Sequence, residues 1–152
     1  MNFDANDLQS LEEYLRSNNI SKTQICLVGS TTLSLIGIRK HSDIDIVIHS
    51  NINTKNLISH QFIEKVNSPW STLFSDDDLI EDSNLHIIYN GFKFIRPELV
   101  FHRKIWHNRR KDQVDISQLR EYAKMSKMWN WQLIGRNLPK PFFVKQYFQK
   151  IS

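Results

Sequence analysis

Hydrophobic and polar positions follow two different periods along this chain, and the switches between them mark its elements. Leu8, Leu11 and Leu15 recur at helical spacing, so residues 4–18 are predicted to form an amphipathic helix. A short apolar run at 24–28 predicts a strand. Residues 31–36 predict a short helix, opened by Gly29-Ser30 and closed near Gly37. A second apolar run at 43–49 predicts another strand. Residues 56–66 suit either a helix or a strand, and 67–82, with a Ser-Pro step and an acidic cluster, predict mostly loop. Asn90-Gly91 stands between apolar runs at 85–89 and 92–95, which is a strong short-range hairpin signal. Pro97 suits the first turn of a helix reaching about Trp106. A longer helix is expected over 112–133, with Ile116, Leu119 and Ala123 on one face. Pro139 and Pro141 then separate it from a last short helix at 142–151.

Short strands alternating with helices predict an α+β fold. The expected architecture is a small mixed β-sheet, centred on strands at 24–28, 43–49 and 85–95, with flanking helices and a C-terminal helical lobe. Residues 1–96 should hold the αβ core, and 97–152 a helical region packed on the same domain. Composition agrees with this: 152 residues, 40% hydrophobic and 24% charged, suit one soluble domain with a real core. The chain opens on an ordinary amphipathic helix rather than a leader, and no apolar stretch approaches the ~20 residues of a membrane span. Cys26, the only cysteine, has no partner for an internal disulfide. Together these features predict a cytoplasmic protein with a buried free thiol and no membrane contact.

Charge adds an asymmetry that the net +4 conceals. Residues 1–100 carry 8 Lys and Arg against 13 Asp and Glu, a balance of −5, whereas 101–152 carry 12 against 3, a balance of +9. An acidic first part and a basic last part suit metal binding in one and anion binding in the other.

Candidate chemistry begins with Asp43 and Asp45 in "SDIDIVIHS". Strand side chains alternate, so both carboxylates are expected on one face and Ile44 and Ile46 on the other. Two neighbouring carboxylates repel when ionised, and a divalent cation removes that repulsion. Oxygen ligands of this kind suit Mg²⁺, or Mn²⁺ in its place. A strand end that merely exposes two acids is the simpler explanation of a lone D-x-D. Here the D-x-D has company. Gly29 permits close backbone approach, Ser30 offers a hydroxyl, and the following helix presents free N–H groups to a phosphate. Strand, Gly-Ser, helix and D-x-D strand form a far more specific combination than either motif alone.

That combination, "LVGSTTLSLIGIRKHSDIDIVI", resembles the nucleotidyltransferase superfamily of DNA polymerase β-like folds, which includes aminoglycoside and small stand-alone nucleotidyltransferases. The stretch "FIRPELVFHRKIWHNRRKDQVDISQLREY" is similar to the helical segment of aminoglycoside- and abortive-infection-type members. In that segment of the family, a lysine and a Lys-Asp-x-x-Asp turn serve the site; Lys104 and the run from Lys111 through Asp112 to Asp115 match. The resemblance implies Mg²⁺- or Mn²⁺-dependent transfer of an NMP from an NTP, such as ATP, to an acceptor hydroxyl, with pyrophosphate release. Asp43 and Asp45 would hold metal, and Gly29, Ser30, Lys104 and Asp112 would bind the nucleotide, with Arg109, Arg110 or Lys111 as further phosphate partners. Lys104 near a helix end and Asp112 before a helix also have ordinary explanations in helix electrostatics and capping.

Active members of the family usually carry a third carboxylate on a later strand beside the D-x-D strand. The expected strand, "NLHIIYNGFKFI", contains none, and His86 stands where the acid is sought. Histidine can act as a general base near neutral pH, which makes His86 the catalytic candidate alongside Asp43 and Asp45. One of Asp76, Asp77, Asp78, Glu81 or Asp82 could instead fold back into the site. Three functions follow. The chain is an active transferase acting on a small molecule, a protein or an RNA end; or a catalytically silent fold that binds nucleotide or a partner, as in toxin–antitoxin pairs; or a nucleic-acid-binding module. The last rests on a basic C-terminal region that interleaves Lys124, Lys127, Arg136, Lys140 and Lys145 with Trp129, Trp131, Phe142 and Tyr147.

Overall fold

A computed structural model describes residues 3–135, which divide between two compact units, Met1–Arg96 and Pro97–Ser152. In the first unit the order is α1 (Ala5–Ser17), β1 (Ile25–Val28), α2 (Ser30–Leu35), β2 (Ile44–Ile48), β3 (Ile63–Lys65), α3 (Asp76–Glu81), β4 (His86–Tyr89) and β5 (Phe92–Ile95). The second holds α4 (Pro97–His107), α5 (Gln113–Met125) and a 3₁₀ turn at Trp131–Leu133. The chain is an α+β protein built on a mixed five-stranded sheet in the order β3-β2-β1-β5-β4. β1 pairs antiparallel with β2 and parallel with β5; β2 pairs parallel with β3, and β4 antiparallel with β5.

Local chemistry explains most boundaries. Asp4 caps α1 by accepting from Asn6 N at 2.8 Å, and Leu11, Tyr14 and Leu15 bury against the sheet. Asn90 and Gly91 both take positive φ, 50° and 78°, as a two-residue type I′ hairpin turn requires. The register sorts side chains by parity. Ile25, Leu27, Ile44, Ile46, Ile48, Ile63 and Phe94 join the α1 core, so Val28, Asp45, Val47 and Glu64 face the other way. Cys26 is fully buried with a free thiol, whose pKa burial pushes well up. No helix among the described residues is long and apolar enough to cross a membrane.

The window 56–66, open between helix and strand, resolves into an irregular approach and the strand β3. Two expectations need correction. The acidic stretch expected as loop contains α3: Ser75 Oγ accepts from Asp78 N at 3.1 Å, Asp76, Asp77 and Asp78 occupy the electropositive first turn, and Leu79 and Ile80 bury. The long helix expected over 112–133 stops at Met125, where Ser126 turns extended. Trp129 and Trp131 instead pack edge-on to Phe101, with ring centroids at 5.9 and 5.4 Å. These two aromatics are therefore core and unavailable for base stacking. The expected helix at 142–151 and its basic residues lie outside the described residues, as does Arg136.

α3 is fastened across the sheet face opposite α1. His86 Nδ1 donates to Leu79 O at 2.8 Å, Lys93 Nζ donates to Ile80 O at 2.7 Å, and His49 Nε2 meets Glu81 at 2.7 Å. The Glu81 hydrogen bond raises the His49 pKa above its ordinary value. A raised folded-state pKa stabilises the fold below the unfolded value, near 6.5, and that contribution fades as pH rises through the folded value. Glu81→Gln should therefore lower the midpoint of His49 in a ring-proton NMR titration. In urea denaturation the variant should be less stable than wild type at pH 5.5, with the gap narrowing by pH 8.5. A gap that widens with pH would contradict this link.

Candidate active site

The site is assembled at the C-terminal end of β1. After Val28 the chain turns at Gly29, with φ 73° and ψ −136°, a conformation open to glycine and strained for other residues. Space is not the limit, because a Cβ there would stand 3.5 Å from Asp45 Oδ2, an ordinary contact. Two buried threonines hold the turn: Thr31 Oγ1 donates to Val28 O at 3.1 Å, and Thr32 Oγ1 donates to Ile95 O at 2.7 Å. Ser30 follows Gly29 directly and is half-buried.

Asp45 lies beside this turn because the antiparallel register pairs it with Val28. Asp43 is exposed in the bend just before β2, one position short of the strand expected there. On the other side of β2, the parallel register pairs Asp45 with Glu64 of β3. Paired residues of neighbouring strands share a face, so Glu64 is an exposed carboxylate beside Asp45 on the strand next to the D-x-D. Sequence reasoning missed it. Ile63-Glu64 repeats the apolar-acidic step of Ile44-Asp45, but only the tertiary pairing tells which strand flanks β2. All three groups offer carboxylate oxygen, Asp43 and Glu64 exposed and Asp45 half-buried, a donor set suited to Mg²⁺ or Mn²⁺ completed by water and phosphate oxygens. Among the described residues, no three Asp, Glu, His or Cys side chains converge closely enough to form a ready-made metal cage.

His86 is not part of this arrangement. Its strand, β4, is the sheet edge, separated from β2 by β5 and β1. At strand spacing that is about 14 Å from Asp45. The residue is buried, 7% exposed, and its Nδ1 is engaged by Leu79 O. The register does put it on the same face as Asp45, as alternation suggests, but face without adjacency does not make a base. The α3 acids are also elsewhere. Asp77 accepts from Ser50 N at 2.9 Å and from Ser50 Oγ, which lowers its pKa, and Glu81 holds His49. Both partners lie past the C-terminal end of β2, about 13 Å along the strand direction from Asp45. Asp76 is buried and accepts from Ser68 Oγ and from Trp70 N at 3.0 Å.

Lys104 and Asp112 belong to the second unit and bind each other. Lys104 Nζ stands 3.2 Å from Asp112 Oδ1 and 3.0 Å from Asp115 Oδ2, and Arg109 Nε lies 2.8 Å from Asp112 Oδ2. Burial pushes the Asp112 carboxyl up, but Arg109 and Lys104 outweigh it and hold its pKa below the usual range. The Lys104 ammonium is thus fixed between the buried carboxylates of Asp112 and Asp115. Lys104→Met should leave both carboxylates short of a partner and destabilise the chain by about 3 kcal/mol, lowering Tm by roughly 6–12 °C at this size. A Tm change under about 2 °C in a thermal melt would show that the cluster does not hold this unit together.

Comparison with known proteins completes the picture. No curated protein matches the chain, and neither does a solved structure. A family model described as a nucleotidyltransferase domain matches residues 8–136, from within α1 to beyond α5. Because that match spans most of the sequence and includes the β1–Gly-Ser–α2–β2 segment, the chain belongs to the nucleotidyltransferase domain family.

Proposed function

We propose that this chain transfers an NMP from an NTP to an acceptor hydroxyl, releasing pyrophosphate, with Asp43, Asp45 and Glu64 as its acidic centre and Mg²⁺ or Mn²⁺ as its cofactor. The observation that carries the reading is the register of β2, which has the Gly29 turn against Asp45 on one side and Glu64 against it on the other. Ser30 and the backbone after Gly29 bind the departing phosphates. When bound, the metal neutralises phosphate charge and favours ionisation of the acceptor hydroxyl. The acceptor oxygen bonds to the α-phosphorus as the bond from that phosphorus to the β-bridging oxygen breaks. Its proton passes to a Glu64 carboxylate oxygen, and the pair from the broken bond leaves with pyrophosphate. In-line displacement puts attacking and leaving oxygens on opposite sides of the phosphorus. With the phosphate turn on the β1 side of β2, the acceptor approaches from the β3 side.

A second reading, nucleotide binding without transfer, is favoured by the spread of the three carboxylates, which form no closed cage. One set of assays separates the two. At 100 times its Kd an NTP with Mg²⁺ or Mn²⁺ should stabilise the fold by about 2.7 kcal/mol, and Asp43→Asn with Asp45→Asn should abolish that Tm increment. With α-labelled NTPs and a cell extract, wild type should transfer label. Glu64→Gln should cut transfer ~10²–10⁴-fold, as expected for loss of a general base, while keeping most of the Tm increment. His86→Ala should leave transfer per folded molecule unchanged. Full transfer by Glu64→Gln would remove that residue from the mechanism, and Tm increments without transfer would favour the silent fold.

A further inference from the structure

The approach to β3 exposes apolar side chains on a backbone that is firmly held. Asn18, at the end of α1, clamps Ile58 from both sides: Ile58 N donates to Asn18 Oδ1 at 2.7 Å, and Asn18 Nδ2 donates to Ile58 O at 3.3 Å. Phe62 N donates to His60 Nδ1 at 3.1 Å, and Phe62 O accepts from Ile44 N at 2.7 Å. That last bond continues the β2–β3 ladder one step past Ile44 and Ile63, so Phe62 stands at the register position beside Asp43, as Glu64 stands beside Asp45. Neighbouring strands lie about 5 Å apart. Ile58 is nevertheless 60% exposed and Phe62 54% exposed. The Phe62 ring is braced by His60, with centroids at 6.2 Å, and His60 in turn meets Tyr14 edge-on at 6.4 Å. An anchored, braced and uncovered ring beside a candidate reacting centre is a recognition feature rather than a stray surface residue.

We propose that Phe62 is the specificity platform for the acceptor: it stacks a flat aromatic ring carried next to the acceptor's hydroxyl. This rests on the function proposed above, in which the acceptor approaches from the β3 side. Charge narrows the acceptor further. Phe62 stands among the carboxylates of Asp43 and Glu64, both exposed, which disfavour an anionic acceptor on this side. The acceptor is therefore a neutral or cationic small molecule with a ring hydroxyl or a hydroxyl near a ring.

The test uses the full chain, Mg²⁺ and the α,β-methylene analogue of whichever NTP raises Tm most, so that no transfer occurs. Tyramine, a cationic phenol, and adenosine, a neutral nucleoside, serve as ring probes, with inositol as a polyol lacking an aromatic face. Binding is read by saturation-transfer NMR. At least one ring probe should bind wild type and inositol should not. Phe62→Ala should weaken the ring probe about 3- to 10-fold, the range expected from an aromatic pair, whereas Phe62→Trp should retain it, both with unchanged Tm. Equal binding to wild type and Phe62→Ala, or equal binding of inositol, would overturn the proposal. So would tighter binding of a short oligoribonucleotide than of either small ring probe. If Phe62→Ala instead weakens the NTP analogue but not tripolyphosphate, the ring serves the nucleotide's base and the acceptor assignment is lost. If the analogue fails to stabilise wild type at all, the transferase reading falls, and this inference with it.

Discussion

The parity of β2 is the constraint on which the site depends. Ile44, Ile46 and Ile48 enter the α1 core, so Asp45 must face the other way. A slip of one residue would exchange the two sets. Burying an isoleucine contributes about 2 kcal/mol, so three of them fix the register by several kcal/mol. The repulsion between two exposed carboxylates two residues apart is below about 1 kcal/mol in water. The core therefore wins and holds Asp43 and Asp45 together despite their charges. The same register lays Val28 and the Gly29 turn against Asp45, and the parallel pairing adds Glu64 from the other side. A glycine turn, a pair of acids and a third acid come together as consequences of how one strand packs.

The ionisable groups of α3 and of the Lys104 cluster are occupied with holding the fold. α3 spends its carbonyls on His86 and Lys93 and its carboxylates on His49 and Ser50, which closes the sheet face beyond the site. In the second unit, Lys104 is neutralised locally by Asp112 and Asp115. Such a lysine is pre-oriented, since the two carboxylates set its rotamer.

Much of this was legible in the sequence because it is encoded locally. Alternation around Asp45, Gly29-Ser30 before a short helix, and Asn90-Gly91 between apolar runs each act within a few residues. What failed was the information carried by pairing between distant strands. His86 looked like a neighbour of the D-x-D strand because sequence does not state sheet order, and β5 and β1 intervene. Glu64 was hidden in a three-residue strand too short to announce its own period. The acids of α3 read as loop because charge obscured a capped helix whose two apolar residues, Leu79 and Ile80, are buried. Trp129 and Trp131 suited nucleic-acid contact as well as core packing in the sequence, and burial decides for the core, which bulky aromatics fill more often.

The central claim is that Asp43, Asp45 and Glu64 form one metal-binding centre against the Gly29 turn. Anomalous diffraction from crystals grown with Mn²⁺ and a non-hydrolysable NTP tests it most directly. The account predicts manganese within about 2.3 Å of Asp43 and Asp45 carboxylate oxygens, with Glu64 on the acceptor side of the same ion cluster and phosphate at Gly29 and Ser30. Manganese bound instead at His86, or among Asp76, Asp77 and Glu81, with Asp45 free of metal, would contradict it.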